Sequence, residues 1–232
     1  MHIHHFFRSL FDLFYPNLCA CCGQTLLRGE ECLCSLCLHD LPRTYFTDFQ
    51  NNEAAQRFWG KVRTERVTAF YFFSKGTIFR QLLHKFKYHG EKEIGLYLGK
   101  IIAQELVKEQ FMEGIDLIIP VPLHPRKEHK RGYNQSEWIA KGLSEVSKIP
   151  YSTKHVKRVI DNDTQTNKNT YERHQNTLGI FESLKPNLLQ GKHILLVDDV
   201  LTTGSTLEAC AHAFHSIPDI KISIFALSIL NG

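Results

Sequence analysis

Two adjacent carboxylates, Asp198 and Asp199, directly follow four bulky apolar residues at positions 194–197. Such an apolar run is typical of a strand that is buried on both faces of a parallel sheet. Open α/β sheets bind their ligands at the carboxyl ends of the strands, so the two acids are expected at a binding edge. Carboxylate oxygens suit sugar hydroxyls or a divalent cation, whereas they would repel a phosphate group.

A short segment of small and hydroxyl-bearing residues follows the acids. A helical apolar periodicity begins directly after this segment, at Leu207. The N-terminus of a helix presents unpaired N–H groups and the positive end of the helix dipole, so the segment predicts a phosphate site. A glycine within it lets the backbone approach the phosphate closely. The predicted phosphate contacts are Thr202, Thr203, Gly204, Ser205 and Thr206.

The same segment also has a purely structural interpretation. Ser205 and Glu208 form an S-x-x-E pattern, which is typical of a capping box that only starts a helix. Capping does not account for two carboxylates side by side at the end of a buried strand. The run Val-Asp-Asp-Val-Leu-Thr-Thr-Gly-Ser-Thr, residues 197–206, resembles the phosphoribosyl pyrophosphate motif of type I phosphoribosyltransferases. The resemblance implies that Asp198 and Asp199 hold ribose hydroxyls and that the following turn holds the 5′-phosphate.

A second anion site is predicted in a basic loop, residues 123–132, which follows an apolar strand ended by two prolines. A helix capped by Asn134 and Glu137 comes next. If the two strands are parallel neighbours, their carboxyl ends open onto one crevice, with a monophosphate at one loop and a pyrophosphate at the other. A solvated charge run is the alternative interpretation. The cations of this loop are Arg126, Lys127, Lys130 and Arg131.

Six of the seven cysteines fall within residues 19–37, where two C-x-x-C pairs occur. Two such pairs a short loop apart can present four thiolates tetrahedrally, which is the ligand set of structural zinc. A redox role is the alternative, but redox C-x-x-C motifs come singly. Cys21 and Cys32 remain as extra thiols and leave the ligand set ambiguous. The predicted zinc ligands are Cys19, Cys22, Cys34 and Cys37.

Taken together, these motifs resemble the ComF family over nearly the whole chain. The resemblance rests on both C-x-x-C pairs, on Arg-Gly-Tyr-Asn-Gln at residues 131–135 and on the acidic motif. It implies a zinc module joined to a phosphoribosyltransferase-like α/β domain, with a mostly parallel sheet and helices on both faces. It also implies a flexible loop over the sugar within residues 156–181, and a link to natural competence. The residues that recur in that loop correspond to Gln165, Thr166, Arg173 and Asn176.

The chain of 232 residues is long enough for one sizeable domain and a small appendage. We expect an amphipathic helix and the zinc module over residues 1–58, and the phosphoribosyltransferase-like domain over residues 59–232. Residues 47–55 are polar and are interpreted as a linker. Further predicted elements are strands over residues 67–73 and 220–230 and helices around residues 78–86 and 98–107.

The composition fits a folded protein, with 43% hydrophobic residues and a formal net charge of +4 that permits an anionic ligand without demanding nucleic acid. No apolar run approaches the roughly 20 residues of a membrane-spanning helix. The N-terminal segment is interrupted by Arg8 and Asp12 and lacks the small-residue cleavage site of a signal peptide. We therefore expect a cytoplasmic protein, since thiols stay reduced in that compartment.

Three functions are compatible with this sequence. The first is an enzyme that transfers a phosphoribosyl group from phosphoribosyl pyrophosphate (PRPP) to an unidentified acceptor; Arg131 and Lys127, with Mg²⁺, would neutralise the leaving pyrophosphate. The second is a module that binds PRPP or a nucleotide without turnover and assists proteins of DNA uptake. The third, a zinc protein that binds nucleic acid, is disfavoured because the cations cluster after Pro122 and not around the cysteines. No motif indicates the acceptor or whether the chain forms a homo-oligomer.

Overall fold

The computed structural model describes residues 16–74, 77–160 and 179–230. This part of the chain contains six strands and seven α-helices. The described strands are β1 (Val67–Phe73), β2 (Leu117–Pro120), β3 (Val156–Arg158), β4 (Phe181–Ser183), β5 (His193–Leu201) and β6 (Lys221–Leu230). The described helices are α1 (Ser35–His39), α2 (Glu53–Gln56), α3 (Ile78–Tyr88), α4 (Glu93–Lys108), α5 (Pro125–Arg131), α6 (Gln135–Ser147) and α7 (Ser205–His212).

Four of the strands form a parallel sheet in the order β1-β6-β5-β2. Strands β2 and β5 are parallel neighbours, as the crevice hypothesis requires, and Pro120 at the end of β2 pairs with Val197 of β5. Strands β3 and β4 form a separate antiparallel ribbon, whose two strands lie at the ends of the predicted flexible loop. The four loop residues named above lie outside the described residues.

Helices cover both faces of the sheet, which confirms the predicted fold class. Helices α3, α4 and α6 pack on the face that bears Leu195 and Val197 of β5. Helices α2 and α7 pack on the other face, against Ile194 and Leu196. The side chains of β5 alternate between two apolar layers, and this explains why its sequence is a continuous apolar run. Within the described ranges, no helix is long and apolar enough to span a membrane.

Helices α4 and α6 approach each other closely through two glycines. A methyl group on Gly99 would lie 2.5 Å from the carbonyl oxygen of Ile139, and one on Gly142 would lie 2.4 Å from that of Leu96. No side chain fits at either position, since real Cβ contacts are not this short. This close packing fixes helix α6, whose N-terminus lies at the carboxyl edge of the sheet.

Both edges of the sheet are covered by irregular segments. Along β1, Phe72 N donates to Pro42 O at 2.7 Å, and Thr44 N donates to Phe70 O at 3.1 Å. Along β2, Ile118 N donates a 2.9 Å bond into the segment 150–152. Covering an edge strand satisfies its outward N–H and C=O groups.

The cysteine-rich segment packs directly on the sheet domain. Leu33 lies in the same apolar cluster as Phe79 of α3. Lys85 of α3 donates to the carbonyl oxygen of Ala20 at 2.7 Å. The leading helix predicted before Pro16 lies outside the described residues, and the division into residues 1–58 and 59–232 stays a prediction.

The interpretation of residues 47–55 as a linker is wrong for its second half. The side chain of Asn52 accepts hydrogen bonds from the N–H groups of Ala54 and Ala55 and caps helix α2. Both alanines are buried against the sheet. These alanines therefore belong to the hydrophobic core, although most residues of the segment 47–55 are polar.

Candidate functional site

The acid pair lies inside strand β5, which continues past the acids to Leu201. The strand therefore extends two residues beyond Asp199 and does not end at the acids as expected. The reason is that Asp198 and Val200 still pair with Ala226 and Ser228 of the long neighbouring strand β6. Both carboxylates are half-buried at the carboxyl edge of the sheet.

Asp198 is held by the start of helix α6. Its Oδ1 accepts hydrogen bonds from Ser136 Oγ and from Asp199 N, each at 2.9 Å. Burial raises the pKa of Asp198 to about 7, and the neighbouring charge of Asp199 adds to the rise. The site therefore holds two carboxylates of which one takes up a proton near neutral pH.

Asp199 is paired with a cation from helix α3. Lys87 Nζ lies 2.8 Å from Asp199 Oδ2, and the two side chains are 20% and 15% exposed. No sequence motif identifies Lys87 or Ser136 as a site residue. A signal for Lys87 existed: it is a cation in the last turn of a helix that starts just after β1, a strand parallel to β5.

Residues 202–204 of the hydroxyl-rich segment form the turn between β5 and α7, and the helix begins at Ser205, two residues earlier than predicted. Gly204 is buried and has φ of +87°, a conformation that glycine adopts without strain. Thr203 Oγ1 and Ser205 Oγ lie 2.8 Å apart. The hydroxyl-bearing residues of the segment are all exposed, so their donors face solvent around a buried glycine. These exposed residues are Thr202, Thr203, Ser205 and Thr206.

The alternative interpretation, a capping box at Ser205 and Glu208, is not observed. The N-cap of helix α7 is Gly204, so Ser205 is already helical. The carboxylate of Glu208 lies 3.7 Å from Lys61 Nζ. A capping box therefore does not account for the hydroxyls of this segment, although Thr203 Oγ1 accepts a long hydrogen bond of 3.4 Å from Ser205 N.

The basic segment after β2 is helix α5 and not the predicted loop. The side chain of His124 caps its N-terminus, Pro125 occupies the first turn, and Gly132 ends it in a left-handed conformation. Lys127 lies in the first turn of this helix, and Arg131 is its last residue. Arg131 Nη1 donates to Gln135 Oε1 at 2.8 Å.

The last turn of α3 connects the acid pair to the basic helix. The hydroxyl of Tyr133 donates to the carbonyl oxygen of Phe86. The guanidinium of Arg131 lies over the ring of Tyr88, 5.5 Å from its centroid. Lys87, between these two residues, reaches Asp199. Arg131 is therefore linked to the acid pair through two neighbouring residues of helix α3.

The four predicted zinc ligands are brought together. The sulfur atoms of Cys19, Cys22, Cys34 and Cys37 all lie within 4.8 Å of one another. Cys22 Sγ and Cys34 Sγ are 3.8 Å apart. A tetrahedral zinc site with bonds of about 2.3 Å separates its sulfur atoms by roughly 3.8 Å, so the donor set fits zinc.

The cysteines of this segment differ in their electrostatic environment, and burial raises the pKa of the ligand Cys37. Burial acts to raise the pKa of Cys19, but N–H donors from Cys22, Cys34 and Cys21 outweigh it and lower the pKa to about 6. Burial raises the pKa of Cys32 to about 12, and that of Cys21 to the same value. Geometry sets these two cysteines apart, because among the described residues the group whose sulfur atoms lie within 4.8 Å of one another is Cys19, Cys22, Cys34 and Cys37.

A cavity of about 460 Å³ lies elsewhere, at the end of α7 and the start of β6. Lys61, Arg63 and His212 are among its lining residues. In a parallel sheet the amino ends lie opposite the carboxyl ends, so this cavity is on the far edge from the acids. None of the predicted site residues lines this cavity. The acid pair and the hydroxyl-rich turn remain the candidate site, because their side chains can bind a sugar phosphate.

The chain is similar in sequence to several known proteins. The family described as Phosphoribosyl transferase domain matches residues 95–221, more than half of the chain. The DNA utilization protein YhgH of Salmonella typhi is 32% identical over 133 residues, which make up 56% of this chain and 58% of that protein. Competence protein F of Haemophilus influenzae is 29% identical over 151 residues, 63% of this chain and 66% of that protein.

Two further comparisons concern Bacillus subtilis. Competence protein ComFC is 30% identical over 132 residues, 57% of this chain and 51% of that protein. The solved structure of the glutamine PRPP amidotransferase has 18% identity and a TM-score of 0.41, covering 61% of this chain and 30% of that chain. The matches span between half and two thirds of the curated relatives' lengths. The chain belongs to the phosphoribosyl transferase domain family, and its competence-protein relatives confirm the resemblance to the ComF family.

Proposed function

We propose that the carboxyl edge of the sheet binds phosphoribosyl pyrophosphate together with Mg²⁺. The observation that carries this proposal is the continuity of β5 and α7. One rigid strand, turn and helix present two carboxylates and, directly after them, a glycine turn with exposed hydroxyls. Ribose hydroxyls and a 5′-phosphate are spaced to engage such neighbouring groups.

Each group of the site has a role in this proposal. Asp198 and Asp199 accept hydrogen bonds from the ribose hydroxyls, since ionised carboxylates are acceptors only. The segment from Thr202 to Thr206 binds the 5′-phosphate through its hydroxyls and the N–H groups at the start of α7. Arg131 and Lys127 bind the pyrophosphate. The carboxylates also suit Mg²⁺, which would supply further positive charge to the pyrophosphate.

The proposed reaction is transfer of the phosphoribosyl group. The bond between C1 of the ribose and the pyrophosphate oxygen breaks, its electron pair leaves with pyrophosphate, and an acceptor forms the new bond to C1. The protein fixes both ends of the sugar and stabilises the departing negative charge. The acceptor is unidentified.

A second candidate is a module that binds PRPP or a nucleotide without turnover and assists DNA uptake. The names of the relatives, which concern competence and DNA utilization, favour this alternative. Under either candidate the partners are proteins of DNA uptake, and the location is the cytoplasm. Zinc is then structural, because four thiolates leave no open coordination position.

A calorimetric titration of PRPP in the presence of Mg²⁺ tests the binding site. We expect binding by the native chain, and a loss of at least about ten-fold in Asp198→Asn and Asp199→Asn, because an amide replaces an ionised acceptor. Glu145→Gln is the matched control, since Glu145 forms a surface pair with Lys100 on the outer side of α6. Equal affinities for all four proteins would contradict the proposal.

Pyrophosphate release separates the two candidates. The native chain is incubated with Mg²⁺, PRPP and a panel of purines, pyrimidines and amines. Release that depends on one acceptor and is lost in Asp199→Asn supports the transferase. Tight binding with no release for any acceptor supports the binding module.

A further inference from the structure

Lys87 is the residue of the site for which no motif predicts a role. Its ammonium and the carboxylate of Asp199 form a contact of 2.8 Å with little exposure. A charge that has lost most of its water requires a compensating partner, and Asp199 supplies one. Such a pair nevertheless adds little net stability, because desolvation offsets the attraction. Stability alone therefore does not explain why a lysine lies here.

The backbone beneath Lys87 is firmly anchored. The preceding side chain, Phe86, is fully buried. A methyl group on Gly95 would lie 2.3 Å from Phe86 Cζ, so the ring packs against the backbone of α4. The carbonyl of Phe86 also accepts the hydroxyl of Tyr133. Lys87 thus extends from a firmly anchored turn, and its contact with Asp199 holds the ammonium beside the acid pair.

The following residue of α3 contacts a second cation. Tyr88 lies under the guanidinium of Arg131, at 5.5 Å. Consecutive residues of α3 therefore contact the acid pair on one side and the basic helix on the other. An ammonium has three N–H donors, and one suffices for the contact to Asp199. The other two N–H groups are not needed for this contact and can donate to a phosphate oxygen of a ligand bound beside Asp199.

We propose, on the basis of the function proposed above, that Lys87 binds the pyrophosphate group of PRPP while it keeps its bond to Asp199. One cation then links the ribose acids to the leaving group. When the C1–O bond breaks, the electron pair moves onto pyrophosphate, and a fixed ammonium stabilises the added charge. Binding and departure of pyrophosphate would both depend on this side chain.

The test compares three ligands with Mg²⁺: PRPP, inorganic pyrophosphate and ribose 5-phosphate. In Lys87→Gln we expect affinity for PRPP and pyrophosphate to fall about ten-fold or more, because a charged contact to phosphate is lost. Affinity for ribose 5-phosphate should change by less than about three-fold at about pH 8.5, where the acids are ionised in either protein. Lys87→Arg, which keeps the charge, should recover most of the lost affinity.

The control is Lys100→Gln, which removes an exposed lysine on α4 whose partner is Glu145. It should leave all three affinities unchanged. Thermal unfolding of each variant verifies that it is folded. An equal loss for all three ligands in Lys87→Gln would show that Lys87 acts only through Asp199, and unchanged affinities would exclude a contact; either result overturns the inference.

Failure of the proposed function gives a different pattern. If the native chain binds pyrophosphate but neither sugar phosphate, the proposal of a PRPP site is wrong. The role of Lys87 is then decided by whether Lys87→Gln weakens the binding of pyrophosphate. If the native chain binds none of the three ligands, both proposals are wrong.

Discussion

The hydroxyl of Ser136 donates to Asp198 Oδ1 at 2.9 Å and thereby joins the N-terminus of helix α6 to strand β5. Asn134 reinforces the same junction, because its side chain donates to the carbonyl oxygen of Val121 at 3.0 Å. The end of β2, the start of α6 and the acid pair are consequently one connected unit. Ser136 is itself buried, so its hydroxyl contributes little to contacts with solvent.

Removing this hydroxyl should weaken ligand binding without unfolding the protein. In Ser136→Ala the ionised form of Asp198 loses a donor, and the pKa of Asp198 rises further. We expect about a five-fold loss of ribose 5-phosphate affinity at neutral pH, which corresponds to about 1 kcal/mol for one hydrogen bond. Calorimetry at two pH values checks this, because the loss should shrink in alkaline solution. Ser144→Ala, on the same helix, is the control, and identical losses in both variants would contradict the prediction.

The raised pKa of Asp198 predicts a pH dependence of binding. Ribose hydroxyls and Mg²⁺ require the ionised carboxylate, so affinity should increase as the pH rises through about 7. Below that value, binding should release protons to the buffer. Calorimetric enthalpies in buffers of different ionisation enthalpy measure this release, and a proton count of zero at mildly acidic pH would contradict the assignment.

The same pKa predicts how stability changes with pH in the protein without ligand. The folded pKa lies above the unfolded value of 3.8, so Asp198 stabilises the fold fully below the unfolded pKa. This contribution is lost as the pH rises through about 7. Asp198→Asn should remove this dependence, giving a flatter curve of melting temperature against pH. An unchanged slope in the variant would rule out Asp198 as its source.

The metal content of cysteine variants tests the ligand set. Cys22→Ser and Cys34→Ser should reduce zinc from one equivalent per chain to nearly none and lower the melting temperature, since metal binding contributes folding energy. Cys32→Ser should retain zinc, because Cys32 lies outside the cluster of four sulfur atoms. Mass spectrometry of the metal in purified protein gives the answer. Full zinc loading of Cys34→Ser would exclude this ligand set.

Gly204 offers a test of the phosphate turn that does not alter charge. Its φ of +87° is unfavourable for alanine, so Gly204→Ala should cost about 1–2 kcal/mol of stability and reduce affinity for ribose 5-phosphate. Gly204→Asn serves as the comparison, because asparagine adopts this conformation more readily. Its melting temperature should fall less than that of the alanine variant. A larger fall of the melting temperature in Gly204→Asn than in Gly204→Ala would contradict the assignment of the strain to this backbone conformation.

Local sequence determined much of this site. The apolar run at residues 194–197, the acid pair and the glycine turn lie next to one another in the chain, and all appear in the expected order. The zinc ligands also follow from short spacings. Lys87 and Ser136 could not be found in this way, because they meet the acids only when α3 and α6 pack on the sheet.

Helix α5 shows a different reason for error. Its boundaries carried ordinary signals, Pro125 at the start and Gly132 at the end, but none of its side chains is buried. A helix without an apolar face has no periodicity to detect, so the charged run was interpreted as a loop. The short helix α2 was hidden for a similar reason, since two small alanines make a weak apolar signal.

The pairing of Pro42 and Thr44 with strand β1 has a consequence for work with shortened proteins. A chain that began at residue 59 would lack this segment and would leave one side of β1 open. The strand reads Val-Thr-Ala-Phe-Tyr-Phe-Phe, and an exposed edge of this composition readily recruits other chains into intermolecular sheets. Truncation to the sheet domain alone should therefore yield aggregates, because residues 42–44 shield the edge of β1 from pairing with other chains.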